Sequence, residues 1–182
     1  MKYGKLYIGL KQDLKENNRI VLTDEMCNID EEITLISNVT GDVLVPKGNK
    51  NLLHKYKNKF ILDKFKHEQH LVLNIDGKCI LISGCSHSGI LNILKNVEEK
   101  IKFKVGVVIG GLHLYNPINK KTENIDLIKE LGNKLLYKDI EIYTCHCTGK
   151  KAFNILSNIL GNNIRAIKTG QVIDLLNLID VK

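Results

Sequence analysis

The chain has 182 residues, 43% of them hydrophobic and 26% charged, with a formal net charge of +7. That is enough for one full-sized domain with a packed core, so a single domain over 1–182 is expected and intrinsic disorder and collagen-like repeats are excluded. No apolar run approaches the roughly 20 residues of a membrane helix, and Met1 to Gly4 lack the apolar stretch of a signal peptide.

A cytoplasmic location with no membrane partner is therefore expected. The five cysteines, an odd number without an export signal, read as reduced thiols rather than a disulfide framework. Arg19 and Arg165 are the only arginines among the basic residues. Lysine-rich basicity without aromatic platforms or clustered arginine argues against a nucleic-acid partner and leaves anionic small molecules as the ligand class.

In chain order, the first sixty-odd residues read as short strands and turns. Residues 19–23 and 33–37 are apolar or β-branched runs, Thr40-Gly41-Asp42 is a turn signal, and Val43-Leu44-Val45 is stopped by Pro46. Residues 50–59 are rich in lysine and asparagine and read as an exposed loop or short helix. Residues 71–75 and 78–83 are apolar strands around Asp76-Gly77, a strong hairpin signal. Residues 88–101 place Ile90, Leu91, Leu94 and Val97 at helical spacing, and a strand at 104–109 follows, ending on Gly110-Gly111. A helix over 124–136, a strand at 140–144, a helix over 151–160 and a strand at 164–168 continue the alternation. The C-terminal two-thirds is therefore an α/β layer.

Three histidines occupy equivalent places, each just beyond the C-terminal end of an expected strand in a small-residue turn. These are His87 in 83–89, His113 in 110–114 and His146 in 145–149. Ligand and metal sites gather outside strand ends in α/β layers, and neutral imidazole is the commonest ligand for zinc-like ions. Cys85, Cys145 and Cys147 each lie within two residues of a histidine. A thiol-based metal or redox sensor built on Cys145 and Cys147 is one alternative, with a low-pKa thiol as its signature. A Cys-only zinc knuckle is disfavoured because no CxxC spacing occurs.

The segments FKHEQ at 65–69, SGCSHSGI at 83–90, GGLHL at 110–114 and CHCTG at 145–149, in that order on this alternation, resemble metallo-β-lactamase-fold metallo-hydrolases in their C-terminal half. The similar branch includes the dihydropteridine-type synthase of methanopterin biosynthesis. Tyr7-Ile8-Gly9 and residues 37–41 resemble the middle region of that branch. The resemblance implies an α/β fold of the αββα sandwich type and a two-metal cleft holding zinc, with manganese or iron as alternatives. It assigns His87 to the first metal, His146 to the second and His113 to substrate contact or proton transfer. The implied activity is hydrolysis of an ester, amide or phosphoester through a metal-bound water. Thr148 and the turn at Ser86, Ser88 and Gly89 are expected to donate hydrogen bonds to substrate or to supporting groups, and His67 and Glu68 to support the site.

The HxHxDH cradle of that family does not occur in this sequence. The remaining residues would supply one imidazole per metal, and one imidazole does not hold zinc against water. The expectation is thus an incomplete sandwich with an open sheet edge. The isolated chain would be inactive and would need a partner chain carrying the N-terminal half, or self-association. The alternative is a non-catalytic, metal-free binding or interaction module that kept the fold.

Overall fold

A computed structural model describes residues 11–174; the Tyr7-Ile8-Gly9 motif lies outside them. A short helix α1 (Gln12–Lys15) leads to β1 (Met26–Asn28) and β2 (Ile33–Ile36). A 3₁₀ helix at Lys47–Asn51 precedes a two-stranded ribbon of β3 (Leu53–Tyr56) and β4 (Lys59–Leu62). Then come β5 (His70–Ile75), β6 (Lys78–Ser83), α2 (Ile90–Ile101) and β7 (Val107–Gly110). A small ribbon of β8 (Tyr115–Asn116) and β9 (Lys121–Thr122) is followed by α3 (Ile125–Leu136), β10 (Glu141–Thr144), α4 (Lys150–Leu160) and β11 (Ile164–Ala166).

Seven strands form one sheet in the order β1-β2-β5-β6-β7-β10-β11. The β5–β6 hairpin turns on Asp76 and Gly77, both at positive φ (51° and 76°), as a tight hairpin requires and an Asp-Gly pair tolerates. Its register pairs His70 with Ser83 and Ile75 with Lys78. Within this sheet β6, β7, β10 and β11 run parallel to one another, because a helix carries the chain back along the sheet between them.

Alternation along the strands separates two faces. Leu81, Val108, Ile142 and Ile164 point into the main core with Ile93, Leu94 and Val97 of α2, Ile128 and Leu135 of α3, and Leu156 of α4. Ile80, Val107 and Tyr143 point the other way and form a smaller cluster with Leu73, Ile82 and Ile109. Helices on one face and an apolar opposite face make this one helix-backed layer of an αββα sandwich; the second large sheet is absent among the described residues. No described helix is long and apolar enough to cross a membrane.

Each expected helix from residue 88 onward forms within two residues of its expected bounds, and each expected strand from residue 71 onward within three. The first third differs. Residues 19–23 are not a strand, and Val21 and Leu22 stand 80% and 82% exposed, so their β-branched and apolar character finds no sheet face to bury. Residues 43–45 are not a strand either, since Leu44 takes φ 47° and Val43 is tied to α2 through Asn92. The lysine-rich segment 50–59 is largely exposed as expected, but it also contributes β3 and the start of β4, which carry no alternating burial to mark them as strands.

Candidate metal centre

The loops after β6 and β7 converge where the parallel strands end. Gly110 allows this approach: a β-carbon there would run into the Ser83 carbonyl. At Gly111 a β-carbon would lie 2.5 Å from Cys147 Sγ, and the Gly111 N–H donates to the Gly84 carbonyl at 2.7 Å. Backbone contact this close leaves room only for hydrogen at both positions.

In the pocket so formed, Cys85, His87 and His113 each offer a donor atom within 4.8 Å of the other two. The His87 and His113 rings lie 4.0 Å apart between centroids. Neither ring nitrogen of His113 is exposed or has a hydrogen-bond partner, an arrangement that costs free energy unless something else occupies the space.

His87 is held on every side. Its Nδ1 lies 2.9 Å from Asn49 Oδ1, while Asn49 Nδ2 donates to the His87 carbonyl at 2.7 Å. The second bond fixes which end of the amide is which, so Oδ1 must accept and Nδ1 must carry the proton. Nε2 is then the nitrogen free to bind a ligand. Phe65 stacks on the ring at 4.4 Å and 3°. The loop backbone is fixed by Glu68, whose carboxylate accepts from His87 N–H at 2.7 Å and Ser88 N–H at 2.9 Å. Beneath it, His70 Nδ1 meets Ser83 Oγ, and Ser83 Oγ meets Ser86 Oγ, both at 3.0 Å.

The pKa of Cys85 is lowered to about 2, by the neighbouring Cys147 side chain first and then by the His113 and His87 rings. Cys147 is pushed well above the ordinary thiol range by the Cys85 side chain and by burial. Its sulfur accepts from His113 N–H at 3.3 Å and lies 3.7 Å from the Cys85 carbonyl oxygen.

The residues expected from sequence fall in different places. His87 and His113 come together. His146 is exposed at the start of the 3₁₀ turn His146–Thr148 with φ 50°, and is not part of the Cys85, His87 and His113 group. The depressed thiol is Cys85, and Cys147 is raised. Thr148 is committed inward, its hydroxyl accepting from Leu112 N–H at 3.0 Å and meeting Thr144, and Ser86 is buried beneath the loop, so neither donates to an incoming molecule. Of the pair at 67 and 68, Glu68 supports the site and His67 is exposed near Asp63. Asn49 is missed by sequence reading altogether, since an asparagine in a lysine-rich segment carries no spacing signal.

No protein-family model matches the chain. The chain is 29% identical over 182 residues to the 7,8-dihydropterin-6-methyl-4-(beta-D-ribofuranosyl)-aminobenzene-5'-phosphate synthase of Methanocaldococcus jannaschii, covering 95% of this chain and 59% of that protein. It is 29% identical over 179 residues to the uncharacterized protein MJ0448 of the same organism, covering 93% of this chain and 62% of that protein. It thus spans about three-fifths of the length of the curated relatives it matches. Among solved structures, Tm1679, a metal-dependent hydrolase of the β-lactamase superfamily, aligns with a TM-score of 0.72 and 25% identity, covering 85% of this chain and 57% of that one. With the histidine-bearing strand ends described above, these likenesses show that the chain shares the metallo-β-lactamase fold.

Proposed function

We propose that this chain is part of a metal-dependent hydrolase acting on an ester, amide or phosphoester centre of a small anionic molecule. The observation that carries this reading is the convergence of His87 and His113 at adjacent parallel strand ends, on a fold shared with a metal-dependent hydrolase. The donor set fits a borderline ion such as zinc: one imidazole whose tautomer is fixed by Asn49, a second with both nitrogens buried and unpartnered, and a thiolate. In the completed two-metal site the resemblance assigns His87 to one ion, His146 to the other and His113 to the substrate. Bound there, divalent ions would lower the pKa of a water and polarise the scissile group.

The chain's own residues do the positioning. Asn49 and Phe65 lock the His87 ring, so that little rotamer freedom is lost when it binds. Glu68 holds the loop that carries His87 by accepting two backbone N–H bonds. His113 lines the pocket beside the His87 ring, where the resemblance puts the substrate. Phe65, 7% exposed, screens one side of the pocket from water. A reducing cytoplasm would keep the thiols free, and the remaining ligands would come from a second chain or from an N-terminal half.

Native mass spectrometry of the untagged chain from its own host, with a hydrolysis screen on phosphodiester and lactone probes, tests this reading. A complex with a second chain, about two metal ions and turnover lost in His87→Ala would support it. A bare chain with no turnover under any metal would favour the non-catalytic module.

A further inference from the structure

We propose that this chain, without a second polypeptide and without His146, binds one thiophilic divalent ion through Cys85, His87 and His113. The proposal goes beyond the two-metal reading, since it needs no ligand outside this sequence and no turnover.

The argument begins at Asn49. Because its amide nitrogen donates to the His87 carbonyl, its oxygen must accept from His87 Nδ1, which leaves a lone pair on His87 Nε2 in the neutral ring. One donor atom from each of Cys85, His87 and His113 lies within 4.8 Å of the other two. Three electron-rich atoms thus share one small space, and both nitrogens of His113 are shielded from water and unpartnered. Lone pairs facing one another repel unless a cation lies between them.

A proton can serve only two of the three atoms at a time; a divalent ion serves all three. Cysteine sulfur and imidazole nitrogen are both zinc ligands, and three protein ligands with one open position is a recurring zinc arrangement. The supporting contacts are those of a metal site too: a carboxamide on the distal nitrogen of one imidazole, a main-chain N–H on the neighbouring Cys147 sulfur, and a stacked aromatic wall. Gly48 adds room, since a β-carbon there would come within 3.2 Å of His113 Nε2.

The test uses the full chain, reduced, stripped with a chelator and titrated with Co(II), then with Zn(II) in competition. One equivalent of Co(II) is expected to bind, with the visible bands of a four-coordinate ion and a near-ultraviolet thiolate-to-cobalt charge-transfer band. Cys85→Ser should remove the charge-transfer band, and it and His113→Ala should each weaken Zn(II) binding about tenfold or more, with unchanged far-ultraviolet circular dichroism. His146→Ala and Cys145→Ser should keep the charge-transfer band. Absence of the band in the parent chain, its persistence in Cys85→Ser, or its loss in His146→Ala would overturn the proposal. None of these readouts involves turnover, so hydrolysis by an assembled two-chain enzyme could still be found if this site fails, and the reverse.

Discussion

Asn49 grips His87 at two points, its amide oxygen 2.9 Å from the ring Nδ1 and its amide nitrogen 2.7 Å from the main-chain carbonyl. The two residues are 38 positions apart, and Asn49, buried on a 3₁₀ turn, has no other evident reason to be inside. Removing the amide with Asn49→Ala frees the ring to rotate and to change tautomer. Zinc affinity is expected to fall about 10- to 100-fold, read by competition with a chromophoric chelator. Asn49→Asp keeps the acceptor for Nδ1–H and should retain more of the affinity than Asn49→Ala.

Gly110 lies against the Ser83 carbonyl where β6 and β7 end. Gly110→Ala would force these strand ends apart and is expected to cost about 1–3 kcal/mol or more in urea unfolding. Gly77→Ala, with open space around it but φ 76°, probes backbone strain alone and should cost about 1 kcal/mol.

His70 is fully buried, and burial outweighs the attraction of Glu68 to hold its pKa below the ordinary 6.5. The folded chain therefore keeps His70 neutral where the unfolded chain protonates it. Its contribution to stability is complete above pH 6.5 and declines as the pH falls below that value. The urea midpoint should drop on going from neutral to mildly acidic buffer. In His70→Gln, which keeps a hydrogen-bonding group near Ser83 but does not titrate, that drop should be smaller.

Leu94, at 0% exposure, faces the sheet from the centre of α2. Leu94→Ala should lower stability by about 2–5 kcal/mol through lost burial and a residual cavity. Exposed His146 makes a contrast: His146→Ala should leave the urea midpoint within about 0.5 kcal/mol of the parent chain.

From residue 71 onward the sequence by itself determined the helices and the strands of the main sheet, though not the short β8–β9 ribbon. The Asp76-Gly77 turn, the helical spacing of Ile90, Leu94 and Val97, and the apolar strand runs are local periodicities, and local periodicity is what burial on one face of a helix or sheet selects. The same run of motifs placed three histidines at strand ends, because a parallel layer gathers its loops on one side. The strands expected at 19–23 and 43–45 failed for the complementary reason. A β-branched run becomes a strand only where a neighbouring strand and a core face are offered to it, and those are tertiary facts. Tertiary structure alone decided that Cys85 joins His87 and His113 while exposed His146 stands apart, that Asn49 sets the tautomer of His87, and that Glu68 rather than His67 holds the loop. Each of these is a contact between segments distant in sequence, made when loop closure brings strand ends together, and no spacing along the chain encodes it.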